Sequence, residues 1–343
     1  MRTQGTGSLD DIAVGDDLLP GARNAVNVCL RVKPEEKVTL ITDTASREIG
    51  AAIHREVLKT GASCSVFLLE DFGPRPHAAM PAEILEDLAG SQVSVFAVRG
   101  ETGELVTRMQ MTKVVTEHRI RHGHMININR RIMTEGMRAD FLAVDELSTR
   151  VFDLARSARR VRATTPLGTD ITAELSPRLR WLKTSGIISP DKWGNLPGGE
   201  VFTSPARLDG TFVVDGVVGD YLCAKYGDIA ATPLTIDIRE SRIRSVRSAN
   251  SSLEKEFMEY CRTDANSDRV GEFAIGTNIA LSHVIGHILQ DEKIPGVHIA
   301  FGHPYTEHTG ADWVSSTHID VVGTNFDIWI DDRKIMAGGR FLL

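Results

Sequence analysis

Apolar residues over the first 160 positions fall into two alternating rhythms. Short β-branched runs, KVTLITD (37–43), SCSVFLL (63–69), VSVFAV (93–98) and GHMININ (123–129), have the length and composition of buried strands. Between them the apolar spacing turns helical. TASREIGAAIHREVLKTG (44–61) closes on a glycine, and MPAEILEDLAG (80–90) and TGELVTRMQMTKVVTEH (102–118) follow. DELSTRVFDLARSARR (145–160) ends the series as a helix. Strand–helix alternation with short buried strands predicts an α/β domain with a parallel sheet over residues 1–160.

The rhythm then changes. RRVRATTPLGTDITAEL (159–175) predicts two strands around PLGTD, and EVFTSP, GTFVVDG and LTIDIRESRIRSV predict more, split by Gly, Pro and Asp. Two helices are predicted here. One is SSLEKEFMEYCRT (251–263), where Ser251 and Glu254 have capping-box spacing. The other is NIALSHVIGHILQ (278–290). GVHIAFG, THIDVV and FDIWIDD add three strands. Residues 161–343 therefore form a second, mostly-β (α+β) domain. The chain shows no internal repeat and no low-complexity tract.

Composition narrows the function classes. The 343 residues are 42% hydrophobic and 25% charged, as in ordinary globular proteins. Lys plus Arg number 39 against 46 Asp plus Glu, a formal net charge of −7, which argues against nonspecific nucleic-acid binding. The one basic cluster, ARSARRVRA (155–163), sits at the end of a predicted helix and reads as a solvated face. Cys29, Cys64, Cys223 and Cys261 are scattered without a C-x-x-C, which suits a reducing cytoplasm and argues against a zinc ribbon or a disulfide framework. MRTQGTGSLDD lacks an apolar signal region, and no long apolar run predicts a membrane span. GTG at 5–7 is not followed by a dinucleotide fingerprint, and no phosphate-binding G-x-x-x-x-G-K-[ST] occurs. A soluble cytoplasmic protein is expected.

Candidate chemistry gathers in the second domain. In VSSTHIDVV (314–322) strand alternation places His318 and Asp320 on one face and Ile319 and Val321 on the other. That pair is half of a metal site or part of a solvated face. Glu200 follows two glycines in NLPGGEVFTSP, Glu272 follows a glycine in RVGEFAIGTN, and His298 interrupts the apolar strand GVHIAFG. An ionisable group in an apolar strand is costly to bury unless paired or bound to metal. Alone, His298 could be a satisfied core histidine and Glu200 could merely end a turn. Together, two histidines and three carboxylates exceed the three protein ligands of a single catalytic zinc and suit two ions sharing a bridging carboxylate. Nitrogen and oxygen ligands without thiolate favour Zn, Co or Mn.

GGEVFTSP, GEFAIGTN, VHIAFG and THID, in this order, resemble the aminopeptidase T family of two-metal exopeptidases. The resemblance covers about residues 160–343, including GTDITAEL (168–175) and IWIDDRKIMAGGRF (328–341). It implies Glu200, Glu272, His298, His318 and Asp320 as ligands of two divalent ions. It also implies a catalytic tyrosine seven residues beyond the first histidine, where Tyr305 stands. Metal-assisted cleavage of a small peptide or amide follows, with Glu272 as bridging ligand or general base, in a homodimer. The chain is shorter than typical members, and TEHTGADWVSST (306–317) is an abbreviated loop. His303 and His308, in or beside it, are read as surface histidines. His283 and His287 have i, i+4 spacing, but no Glu follows His283, so the H-E-x-x-H motif is absent and helix packing is expected.

A rival reading makes His298, His318 and Asp320 a 2-His-1-carboxylate site for one Fe(II). The sequence is also similar to the ring-cleaving dihydroxypyridine dioxygenases, which share the closing H-x-D strand. Those enzymes place an iron-binding histidine at or near the position of Glu272, just before FAIG (273–276), and lack an equivalent of Glu200. Both glutamates favour hydrolysis. A non-catalytic binding protein is a third reading, against which the intact ligand set stands.

Overall fold

The structure is a computed structural model and describes residues 8–343. GTG at 5–7 lies outside the described residues. The chain divides into two compact units, residues 1–142 with 186–198, and residues 143–185 with 199–343.

The first unit carries the parallel sheet that strand–helix alternation predicts. Lys37–Thr42, Ser63–Leu68, Val93–Val98 and Arg121–Ile126 form its strands, with Lys37–Thr42 between Ser63–Leu68 and Val93–Val98. Gly194–Asn195 pairs with the outer edge of Arg121–Ile126. Helices Arg47–Lys59, Ala82–Ala89 and Leu105–Glu117 supply the crossovers. Val93–Val98 is buried throughout, as a strand covered on both faces must be.

The second unit consists of two antiparallel sheets on one apolar core. The larger runs in the order 242–247, 234–239, 207–214, 170–174, 160–164, 327–330, 333–337, 340–341. The smaller carries the candidate chemistry, and its strands are β1 (Leu182–Thr184), β2 (Glu200–Thr203), β3 (Val270–Gly276), β4 (Gly296–Gly302) and β5 (His318–Val322). They lie side by side in the order β5-β4-β3-β2-β1. Phe273, Ile275, Ile299, Phe301, Ile319 and Val321 enter the core from this sheet, and Val161, Ile171, Leu208 and Phe212 from the other. No helix among the described residues is long and apolar enough to cross a membrane.

Two local expectations need correction. The cap of helix Ser251–Tyr260 is Asn250, whose Oδ1 accepts from the Leu253 N–H at 3.2 Å. Glu254 reaches back to the Ser248 N–H at 2.8 Å, so the reciprocal arrangement is displaced from the Ser251/Glu254 box. The helix expected over 278–290 is only Ile288–Asp291. Asp291 explains part of this, because its carboxylate accepts the Ile285 and His287 N–H groups at 2.9 and 2.8 Å. Those donors are thereby lost to a helical ladder, and Gly286 has a left-handed φ of 77°. His283 and His287 are therefore not on one helix face.

In the first unit, His122 and His124 project from one face of Arg121–Ile126. Ser94 Oγ lies 2.8 Å from His122 Nδ1, and His122 Nε2 lies 3.2 Å from His124 Nδ1. Trp193 and Phe96 pack on His124 at 5.4 and 5.3 Å. Burial pushes His122 down to about 3, and His124 well below the ordinary histidine value through burial and then the neighbouring His122. Both are neutral when folded. Below about pH 6.5 only the unfolded chain takes up these protons, so stability falls with pH, for His122 until about pH 3 and by up to about 1.4 kcal/mol per pH unit. Thermal melts between pH 7 and pH 4 should show this slope, and His122→Gln should flatten it. An unchanged slope would show that His122 is not the titrating group.

Candidate metal centre

Strand register gathers the predicted ligands. Gly276 faces Glu200, Ala274 faces His298, Ala300 faces both Glu272 and Asp320, and Gly302 faces His318. Facing residues in neighbouring strands point to the same side, and so do residues two apart. Glu200, Glu272, His298, His318 and Asp320 therefore share one face of the sheet. Only Ala and Gly stand between them on β3 and β4, which leaves room for large polar groups. The intervening Phe, Ile and Val side chains form the core on the opposite face.

Local backbone devices aim the ligands. Gly199, just before Glu200, has φ 132°, and a Cβ there would lie 2.6 Å from Asn278 Cβ. Only glycine allows that approach. The β3–β4 register shifts between Val270 and Glu272, a bulge directly beside this carboxylate. A Cβ on Gly276 would stand 2.0 Å from the Ile294 carbonyl oxygen, so the segment holding Glu292 and Lys293 lies directly against this strand.

The side chains interlock. His298 Nε2 lies 3.3 Å from Glu272 Oε1 and 3.5 Å from Glu200 Oε2. His318 Nε2 lies 3.7 Å from Glu272 Oε2 and 3.4 Å from Asp320 Oδ1. Nδ1–H of His318 donates to the His303 carbonyl at 2.9 Å, which directs Nε2 into the site. Three ligand triads have donor atoms within 4.8 Å of one another. They are Glu200, Glu272 and His298, then Glu272, His318 and Asp320, then Glu292, His298 and Asp320. All five predicted ligands are represented.

The sequence reading missed Glu292 and Lys293. Lys293 Nζ lies 2.7 Å from Glu200 Oε2 and 2.5 Å from Glu292 Oε1. Their signal was the charged run DEK (291–293) immediately before an apolar strand.

Four carboxylates thus face one ammonium in a largely buried pocket, with Glu200, Glu272 and His298 each under 8% exposed. Burial by itself would lower His298, but the Glu272 hydrogen bond and the charges of Glu200 and Glu292 raise it to about 9. Burial is likewise outweighed at His318, which Asp320 and Glu272 raise to about 10. At Asp320, burial opposes ionisation and His318 overcomes it, taking the carboxyl down to about 2. Burial pushes Glu292 up to about 8. Buried carboxylates need cationic partners, and mixed carboxylate and imidazole donors fit a divalent metal in place of the imidazole protons.

Tyr305 keeps 39% of its surface exposed, and its ring centre lies 4.7 Å from that of His318 and 6.0 Å from that of Phe202. Its backbone is left-handed, at φ 51°, with its N–H donating to His303 Nδ1 at 3.0 Å. Strain of this kind persists where surrounding structure enforces it. His303 thus serves through its carbonyl and Nδ1. His308 is exposed, and its carbonyl accepts from Arg180 at 2.7 Å. Neither His303 nor His308 joins a ligand triad among the described residues. The 306–317 loop is pinned by Asp264, which accepts from the Ser316 N–H at 2.6 Å and from Ser315 Oγ at 3.0 Å.

The model of the thermophilic metalloprotease (M29) family matches residues 144–332, more than half of the chain and the whole of this site. The chain belongs to the M29 metalloprotease family. Among solved structures, wild-type AmpT from Thermus thermophilus is 16% identical over 95% of this chain and 99% of its own length, with a TM-score of 0.69. The 2,5-dihydroxypyridine dioxygenase from Pseudomonas putida KT2440 is 15% identical over 96% of this chain and 98% of that one, with a TM-score of 0.71. At these identities both likenesses establish the fold alone. A search of curated proteins finds no match. M29 membership makes the chain a metal-dependent peptidase, and the triads are its candidate metal ligands.

Metal should stabilise the folded protein. Zn²⁺ at a hundredfold its Kd adds about 2.7 kcal/mol, read as a rise in Tm that a chelator reverses. The cation competes with the protons on His298 and His318, so the rise should grow from pH 6 to pH 8. Asp320→Asn should remove most of it. A Zn²⁺-induced rise that survives this change would place the metal elsewhere.

Proposed function

We propose that this M29 protein is an aminopeptidase-type hydrolase that cleaves an amino-terminal peptide bond or a small amide. The observation that carries this reading is Glu272, a carboxylate set between His298 and His318 on the ligand face. When bound, a divalent cation supplies Lewis acidity, polarising a carbonyl and lowering the pKa of water from about 15.7 to about 7. Zn, Co or Mn suits these donors. Five ligands are enough for two ions, and Lys293 bears on that number.

Glu272 takes the proton of the attacking water and passes it to the departing amine. The Tyr305 phenol donates a hydrogen bond to the carbonyl oxygen as negative charge develops there. Loss of surrounding water, and then the charges of Glu272 and Asp320, hold the phenol well above its ordinary value, so it keeps its proton at neutral pH. The surplus of carboxylates attracts a free amino terminus, which accounts for selection of unblocked substrates.

The iron reading needs His298, His318 and Asp320 as one triad. The triads found among the described residues instead divide the two histidines, and each contains a glutamate. That distribution supports hydrolysis.

Aminoacyl amides and dipeptides assayed with added Zn²⁺, Co²⁺ or Mn²⁺ should be cleaved equally with and without oxygen, and chelation should stop the reaction. Turnover that requires oxygen, or cleavage confined to N-blocked substrates, would overturn the proposal. Tyr305→Phe should lower kcat by about 10²–10³-fold while metal content stays constant. Loss of metal on this change would show that Tyr305 is a ligand instead.

A further inference from the structure

Lys293 is the one group at the centre whose charge matches that of a metal ion rather than that of a ligand. Its side chain is 1% exposed, and its ammonium bridges Glu200 Oε2 and Glu292 Oε1. The other oxygen of Glu200, Oε1, accepts from Thr184 Oγ1 at 2.7 Å. Both oxygens of Glu200 are therefore engaged within the protein. Glu272 and Asp320 direct their contacts elsewhere, to the two imidazoles.

The backbone fixes the lysine in this place. Its N–H donates to the Gln290 carbonyl at 2.9 Å, and its carbonyl accepts from the Asn278 N–H at 3.0 Å. The following residue, Ile294, is the one whose carbonyl presses on Gly276. Swinging the ammonium out would strand two buried carboxylates, which is strongly unfavourable.

We propose that the Lys293 ammonium permanently fills the cation position between Glu200 and Glu292, so that each chain binds one divalent ion, held by Glu272, His318 and Asp320. The inference rests on the metal-dependent reading above and sets its stoichiometry. Glu200 and Glu292 then act as positioning residues that hold Lys293.

Metal-stripped full-length protein, dialysed against excess Zn²⁺ and analysed for zinc, should hold one equivalent per chain. With Mn²⁺ it should give the electron paramagnetic resonance spectrum of an isolated ion. Lys293→Ala, checked for folding by thermal melt, should bind two equivalents of Zn²⁺, and its Mn²⁺ signal should show coupling between two ions. Two equivalents in the unaltered chain would overturn the inference and leave the metal-dependent function standing. The same holds for a folded Lys293→Ala that still binds one. If that variant does not fold, the count in the unaltered chain decides alone. No bound zinc at all would overturn the metal-dependent reading itself.

Discussion

Carboxylates crowded onto one face of an otherwise apolar sheet are the constraint around which this half of the molecule is built. Glu200, Glu272 and Asp320 stand on adjacent strands whose other faces fill the core, and Glu292 leans in from the segment before β4. Like charges so close in a poorly hydrated place repel strongly unless cations lie between them. Lys293 neutralises one of the four. The two imidazoles, facing this charge, hold protons more tightly than usual. Ligand placement, histidine basicity and the need for metal thus share one electrostatic cause.

Much of this was legible in the sequence because strand alternation is a strict rule. H-x-D in THID puts two candidate ligands on one face, and E-x-A-x-G in GEFAIG and H-x-A-x-G in VHIAFG each put a candidate ligand and small residues on one face, with bulky apolar residues on the other. The rule fixes a face and leaves its use open. His122 and His124 obey the same i, i+2 spacing, yet they form a neutral buried pair packed on Trp193. What separates the two cases is the presence of carboxylates on neighbouring strands, and strand order is not written in local spacing.

Irregular segments were the least legible. Asp291 draws the Ile285 and His287 N–H groups into its carboxylate, so an apolar spacing that reads as helix becomes a loop. That loop ends in the short helix that delivers Glu292 and Lys293. Their place depends on the close approach of Ile294 to Gly276, a contact between residues distant in the chain. The fold itself was equally silent about chemistry, since a dioxygenase and AmpT match it almost equally well. The chemistry depends on which side chains stand on this sheet, and here the two oxygens of Glu272 reach one histidine each, His298 and His318.

The most direct measurement is anomalous diffraction at the metal edge from crystals grown with Zn²⁺. The account predicts a peak within bonding distance of Glu272, His318 and Asp320, with Lys293 still bridging Glu200 and Glu292. Crystals in zinc whose four carboxylates enclose no anomalous peak would contradict it.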